Sequence, residues 1–376
     1  MFKKSESIVQ KNIIQEKAVN LLYSYSRILL SWATGCGKTL GAFKMVKKLY
    51  EHKPNITGYI VCKESGHIDN LQEDIVTHGM EFINDISKCF LYASLHKNTN
   101  GSYVDFIILD ECHAITTKRA EHLKKIIGPK TVVIMLSATV DSTNAMLLRS
   151  VLSNFHQYDI SISQAIELGI LPHPVVNIHY FKMNAQQQME YDSITKTLEG
   201  WKEKYEAVDE DGVSIGQEWQ KNLWVKTGSI RKRFMAEAKT KIATDIISTS
   251  FNGFRYICFT GSKTQCNNLG TLDTIVHSDN KKKINLAIKN QFNNHKIDKL
   301  FVVNMMRESM NLVNIEKGLI VQLDSVKLSF IQMLGRVFRS NVPEMHIIVW
   351  KDTQDEKYLD NVMKGFNTKY VNNIYH

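Results

Sequence analysis

Eight short apolar runs, separated by stretches of helical pattern, constrain this chain more than any other feature. They are Arg27–Ser31, Gly58–Cys62, Asp105–Leu109, Thr131–Leu136, Tyr256–Phe259, Leu300–Val303, Gly318–Leu323 and His346–Trp350. Most are rich in Ile, Val and Leu with little polar alternation, as strands covered on both faces of a parallel sheet are. Strands of that kind alternating with helices imply βαβ units. The runs fall into two groups, one ending near residue 140 and the other starting near 255. Between them, residues 184–250 are polar, charged and helical in pattern. Ile194, Leu198, Trp201 and Tyr205 make one stripe along a helix, and Phe234, Ala238, Ile242 and Ile246 make a second. Asp209–Gly212 reads as the turn between them. The expected fold class is α/β: two lobes with parallel sheets, plus a helical insertion at the entry to the second lobe.

The remaining 31-to-39 stretch, Ser31-Trp32-Ala33-Thr34-Gly35-Cys36-Gly37-Lys38-Thr39, follows the first run and opens a helix over Lys38–Tyr50. Leu40, Phe43, Val46 and Tyr50 are expected to line the buried face of that helix. Strand, glycine loop and helix N-terminus together form a phosphate cradle. Glycines let backbone N–H groups close around the phosphates, and the helix end adds partial positive charge. Thr34, Gly35, Cys36 and Gly37 would wrap the phosphates, Lys38 would neutralise the β- and γ-phosphates of ATP, and Thr39 would ligate Mg2+. The strict G-x-x-x-x-G-K-[ST] pattern fails at its first position, which is Trp32. Cys36, at a helix N-terminus, is expected to have a lowered thiol pKa and to block ATP when alkylated.

A second apolar run ends in Asp110 and Glu111, within Ile107–His113. Alone, such a pair is an ordinary solvated strand end. Behind a phosphate loop in the same lobe, Asp110 is placed to hold Mg2+ and Glu111 to orient and deprotonate the attacking water.

Composition narrows the partners. The chain carries a net charge of +9 with a pI of about 9.0, which suits a polyanion such as nucleic acid. The six cysteines (Cys36, Cys62, Cys89, Cys112, Cys258, Cys266) form no C-x-x-C pair and no zinc spacing, so they read as reduced thiols in or near strands. No apolar run approaches the roughly 20 residues of a membrane span. The basic N-terminus lacks the apolar core of a signal peptide, so a cytoplasmic protein, or a nuclear one in a host with a nucleus, is expected.

In order, these motifs resemble those of the superfamily 2 helicases and translocases. Ala33–Thr39 resembles motif I, Asp110–His113 motif II in its DExH form, Ser137–Thr139 motif III, and Ser329–Arg339 motif VI with its Q-x-x-G-R-x-x-R signature. Ile60–Ile75 resembles motif Ia, Leu91–Lys97 the segment before motif II, Cys258–Leu269 motif IV, and Val302–Val321 motif V. Tyr158–Pro174 resembles the passage between lobes in the branch of phage branch-migration helicases, excision-repair helicases and restriction-enzyme motor subunits. The chain departs from the pattern at Asn12, where the family has an arginine ahead of the glutamine Gln15, and at Ser309 and Asn311 of motif V.

The resemblance implies two RecA-like lobes, at 1–160 and 251–376, with a passage at 161–183 and the insertion at 184–250. It also implies ATP and Mg2+ as cofactors and an adenine contact for Gln15. His113, Ser137, Thr139, Glu308 and Asn311 would couple the ATP site to the strand. Gln332 would contact the nucleotide region, and Arg336 and Arg339 would act as arginine fingers, completing the site when the lobes close. Lys63, Ser94, Lys97, Thr260, Ser262, Lys263 and Asn304 are candidates for nucleic-acid contact, each also readable as solvated surface. Of Trp201, Trp219 and Trp224, two are expected to pack the inserted helices onto the second lobe, while stacking on bases or wedging a junction stays open. Residues 352–376 read as one helix and a tail.

The resulting expectation is a monomeric ATP-dependent DNA helicase or branch-migration motor. Alternatives are a duplex translocase within a restriction or defence complex, an RNA helicase, and an ATP-gated nucleic-acid binding module.

Overall fold

All eight apolar runs are strands in the computed structural model, which describes residues 3–98, 103–138, 140, 142–303, 312–324, 330, 333–335, 337, 343–364 and 366–376. The chain divides into two compact units, one running to His173 and the other starting at Pro174; residues 333–335 and 337 group with the first.

The first unit is built on β1 (Arg27–Trp32), β2 (Gly58–Cys62), β3 (Ser87–Leu91), β4 (Phe106–Leu109), β5 (Val132–Ser137) and β6 (His156–Ile160). They form a parallel sheet in the order β3-β2-β4-β5-β1-β6. Ile28, Leu29 and Leu30 of β1 and Val133, Ile134 and Met135 of β5 are all fully buried, because crossover helices cover both faces. α1 (Lys4–Asn20) packs on α2 (Lys38–His52). α3 (Ser65–Thr77) follows β2. In α2 the buried face includes Phe43 and Val46, as expected, but also Ala42 and Met45, while Leu40 and Tyr50 are only half-buried. This order sets the carboxyl ends of β4, β5 and β1 side by side, where ligands bind in open α/β sheets.

The second unit contains β7 (Val175–Phe181), β8 (Tyr256–Thr260), β9 (Ile275–Val276), β10 (Lys299–Val303), β11 (Lys317–Ile320), β12 (Glu344–Trp350) and β13 (Val371–Tyr375). Their order is β13-β7-β12-β11-β8-β10-β9, again parallel throughout. Two expectations change here. Residues 161–183, read as a passage, contain helix Ile162–Glu167 and then β7, which lies inside this sheet beside β12. The tail read after the helix Gln354–Met363 is β13, paired with β7 from Val371↔Val176 to Tyr375↔Tyr180.

The strands that the apolar pattern does not mark are β3, β6, β9, β13 and β7, and the first four are the edges of the two sheets. β3, β6 and β13 have one row of open backbone groups and carry polar side chains, so they lack the continuous apolar signature, while β9, Ile275–Val276, is only two residues long. β7 is interior but places Asn177 and His179 in a polar ladder. His179 bonds His346 at 2.9 Å and His376 at 3.0 Å, and His346 bonds Glu344 at 2.8 Å.

The insertion forms helices Ala185–Glu206, Glu218–Ala238 and Thr240–Ser250. Asn184 caps the first with a reciprocal bond to Gln187. The first two helices run antiparallel: Leu198 packs on Gly228, Thr195 meets Arg231, and Tyr205 lies 6.0 Å from Trp224. Asp209 Oδ1 accepts from the backbone N–H of Asp211 and Val213 at 3.1 and 2.8 Å, which makes the expected turn.

The three tryptophans do not seat this pair on the sheet. Trp201 packs edge-on against Trp219 at 5.8 Å and Trp224 against Tyr205, so they hold the helices to each other. The seat is a cluster of Tyr191, Met235 and Trp350. Beneath it is a fully buried ion pair, Lys239 with Asp355 at 2.5 Å. Among the described residues no helix is long and apolar enough to cross a membrane.

Candidate nucleotide site

The loop between β1 and α2 turns on two glycines with positive φ, Gly35 at 93° and Gly37 at 81°. The left-handed conformation at Gly37 lets the chain enter α2 with its first N–H groups pointing into the loop. At φ 81° any side chain is strained, and a Cβ on Gly37 would lie 2.6 Å from Gln15 Nε2 and force that amide to move. Lys38 Nζ donates to the Trp32 carbonyl at 2.9 Å, and Thr39 is the next residue of α2. Trp32, standing where the strict pattern has glycine, is fully buried, edge-on to Tyr158 at 5.4 Å and against Gly41. Its bulk is thus taken up by the core on one side of the loop.

Gln15 reaches the same loop from α1. Its Nε2 donates to the Gly37 carbonyl at 3.1 Å, while Oε1 is buried without a partner. An unsatisfied buried acceptor costs about 1–3 kcal/mol. An exocyclic amino group, such as the N6 amine of adenine, would satisfy it.

Across the sheet, β4 delivers Asp110 and Glu111. The Asp110 N–H donates to the Val61 carbonyl at 2.9 Å, and its Oδ2 accepts from His67 Nδ1 at 3.0 Å. Glu111 has φ 47°, a conformation non-glycine residues adopt only under about 1–3 kcal/mol of strain. Its Oε2 lies 3.2 Å from His113 Nδ1, an ion-pair distance without hydrogen-bond alignment. His113 Nδ1 also meets Ser137 Oγ of β5 at 3.2 Å. Burial pushes the Glu111 carboxyl upward, but His113, Lys38 and His67 more than offset that and hold it well below the usual carboxylate range. A buried carboxylate held ionised is a strong hydrogen-bond acceptor for a water.

The donors facing this space fit Mg2+. A carboxylate at Asp110 and a hydroxyl at Thr39 are hard oxygen ligands, few in number, as suits a cation that also binds phosphate. Among the described residues no group of three or more His, Cys, Asp or Glu could hold a metal ion.

Some expected sites come out differently. Cys36 is fully buried, and burial pushes its thiol up to about 11 despite the pull of Lys38, so the loop does not activate it. Thr260 is fully buried and donates to the Val302 carbonyl at 3.1 Å. Ser262 caps the helix Lys263–Leu269 and bonds Glu237 at 3.2 Å. Both hydroxyls are engaged inside the unit. Lys263 is half-exposed and paired with Asp279, Lys97 is exposed, and Lys63 is half-exposed at the end of β2. Ser94 bonds the Leu91 carbonyl at 3.3 Å.

Thr139, Asn304, Glu308, Asn311, Gln332, Arg336 and Arg339 lie outside the described residues. Their neighbour Gly335 is described and buried, and a Cβ there would lie 2.5 Å from Thr34 Cβ, so Gly335 lies against the glycine loop within the first unit. Sequence reasoning missed His67. It sits three residues into α3, where only its place in an otherwise apolar stripe could have drawn attention.

Comparisons with known proteins bear on the fold. The helicase conserved C-terminal domain model matches residues 238–341. No curated protein sequence matches the chain. Among solved structures, S. cerevisiae Dbp5 bound to RNA and ADP BeF3 superposes with a TM-score of 0.63 at 11% identity, over 96% of this chain and 89% of that one. The Pyrococcus furiosus Hef helicase domain gives 0.56 at 12% identity, over 93% and 96%. At such identities the likeness is one of fold. The two parallel-sheet units have the RecA-like fold of these helicase structures, and residues 238–341 match the helicase C-terminal domain.

Proposed function

We propose that this protein is a nucleic-acid-stimulated ATPase that couples ATP hydrolysis to translocation on, and remodelling of, DNA, in the branch that includes branch-migration and excision-repair helicases. The observation that carries the reading is the convergence in one unit of the Gly35–Thr39 loop, Gln15, and the Asp110–Glu111 strand end with its His113–Ser137 link.

In this reading Thr34–Gly37 wrap the phosphates and Lys38 leaves the Trp32 carbonyl for the β- and γ-phosphates. Gln15 reads the adenine through Oε1. Thr39 and Asp110 would hold Mg2+, which supplies charge neutralisation between the β- and γ-phosphate oxygens when bound. Glu111 aligns the attacking water and takes its proton. Arg336 and Arg339 stabilise charge on the phosphoryl group as the bond breaks, a contribution of roughly 10³–10⁵ in rate for an arginine finger. Gln332 positions against the nucleotide. His113, Ser137 and Thr139 transmit the state of Glu111 toward the polynucleotide, with Glu308 and Asn311 on the motif V side. Lys63, Lys97, Lys263 and Asn304 contact phosphates, which gives affinity without sequence preference.

A steady-state ATPase screen tests this with forked, Holliday-type, single-stranded and duplex DNA and with RNA. Stimulation of tenfold or more by DNA, greatest on branched forms, is expected at the scale of the finger contribution. Turnover indifferent to every polynucleotide would refute the motor. Stimulation by RNA alone would reassign the substrate, and triplex displacement without strand separation would reassign the protein as a duplex translocase.

A further inference from the structure

We propose that His67 is a positioning residue that orients the metal-side carboxylate Asp110 and thereby sets the Mg2+ requirement of nucleotide binding. This rests on the nucleotide-site reading above.

The argument begins with α3. Its buried residues are His67, Leu71 and Ile75, a stripe at i, i+4 and i+8 that packs on the sheet. An aliphatic residue at position 67 would complete the stripe at no desolvation cost. Instead the stripe opens with an imidazole that is 8% exposed and whose Nε2 is buried without a hydrogen-bond partner. A polar ring is stable there only if its other nitrogen is well used. It is: Nδ1 lies 3.0 Å from Asp110 Oδ2. An ionised carboxylate only accepts, so Nδ1 carries the proton and donates.

Topology makes this contact a matter of register. β2 pairs in parallel with β4, Val61 opposite Leu109, so the chain leaving β2 and the chain leaving β4 emerge side by side. The Val61 carbonyl accepts from the Asp110 N–H at 2.9 Å. Glu64 is the N-cap of α3 and its carbonyl accepts from the His67 N–H at 3.0 Å. Asp110 is thus gripped twice from the β2–α3 connection, by backbone at Val61 and by side chain at His67. With Oδ2 engaged, Oδ1 is the oxygen presented to a cation. Partners that hold a ligating carboxylate in one rotamer are worth about 10–100-fold in metal affinity.

The test is equilibrium binding of a fluorescent, non-hydrolysable ATP analogue, titrated with Mg2+, to the whole chain. His67→Leu completes the apolar stripe and removes the donor. It should raise the Mg2+ concentration for half-maximal binding by about 10-fold, with binding in EDTA unchanged. His67→Asn offers an amide N–H near the position of Nδ1 and should recover to within about 3-fold of the parent. In an Asp110→Asn background, His67→Leu should add nothing, since coupled residues are not additive. The proposal is overturned if His67→Leu leaves the Mg2+ midpoint in place, or if it weakens binding equally with and without Mg2+, the mark of a packing role alone. Parent protein that binds the analogue with no Mg2+ dependence would overturn the nucleotide-site reading itself.

Discussion

Removing the ammonium of Lys239 should unseat the inserted helices from the second sheet. Lys239 lies at the joint between helices Glu218–Ala238 and Thr240–Ser250 and, like Asp355, is fully buried. Its Nζ is 2.5 Å from Asp355 Oδ2, 3.2 Å from Gln322 Oε1 and 3.0 Å from the Ile348 carbonyl. Burial draws the lysine pKa down while Asp355 opposes it, as expected for a charge that is tolerated only because it is paired. Lys239→Met keeps the length of the side chain and deletes all three contacts. Breaking a buried pair from one side costs about 3–5 kcal/mol, because the other charge is left behind. Asp355 keeps donors from Gln322 Nε2 at 2.8 Å and the Trp350 N–H at 3.1 Å, which argues for the middle of that range. With a urea dependence of about 2–3 kcal/mol per molar, a loss of about 4 kcal/mol lowers the midpoint by roughly 1.3–2 M. Trp350 is the natural probe, since its indole donates to the Met235 carbonyl at 3.1 Å beside the pair. The double variant Lys239→Met/Asp355→Leu should regain most of the loss, since an apolar pair removes the stranded charge. A single variant within about 1 kcal/mol of the parent, or a double variant worse than the single, would refute the reasoning.

The remaining expectations are shorter. Glu111→Gln should bind ATP with near-parent affinity while turnover falls by about 10²–10⁴-fold, the usual value of a positioned base; unimpaired turnover would place the base elsewhere. In the native protein, iodoacetamide near neutral pH should leave Cys36 unlabelled by peptide mass spectrometry, because the thiol is buried and its pKa is pushed up to about 11; rapid labelling would contradict this. The histidine ladder predicts acid sensitivity of the second unit. Burial, with His346 and His376 alongside, pulls His179 down to about 4, against an ordinary value near 6.5. Between those values the unfolded chain binds more protons, so stability is full above about 6.5 and is lost as pH falls toward about 4. Solvent reaches the ladder at exposed His376, so screening limits the loss to about 2 kcal/mol. A His179→Asn variant with an undiminished acid slope would dismiss the ladder as its source.

Much of the first unit was legible before any coordinates. The Gly-x-Gly-Lys-Thr run needs a strand before it and a helix after it to function. The aliphatic runs of β1, β4 and β5 could only be strands covered on both sides. That fixed which strand ends and loops hold the candidate site residues Lys38, Asp110 and Glu111. Edge strands such as β3 and β13 were not legible. Their pattern of half-buried and exposed residues resembles loop, and only a neighbouring strand turns it into sheet. The reversed expectation at Cys36 and the inward bonds of Thr260 and Ser262 have a common cause. A thiol or hydroxyl looks available in a motif until the fold shows whether solvent or a carbonyl faces it.

Local pattern therefore decided the elements, their α/β alternation and the strand–glycine loop–helix unit of the candidate site, because backbone geometry and aliphatic burial act over a few residues. Partnership was decided only in three dimensions. His67 meets Asp110 and Lys239 meets Asp355 because parallel strand order brings segments 43 and 116 residues apart to a single point. An interaction between distant residues depends on topology, and no short stretch of sequence carries the topology.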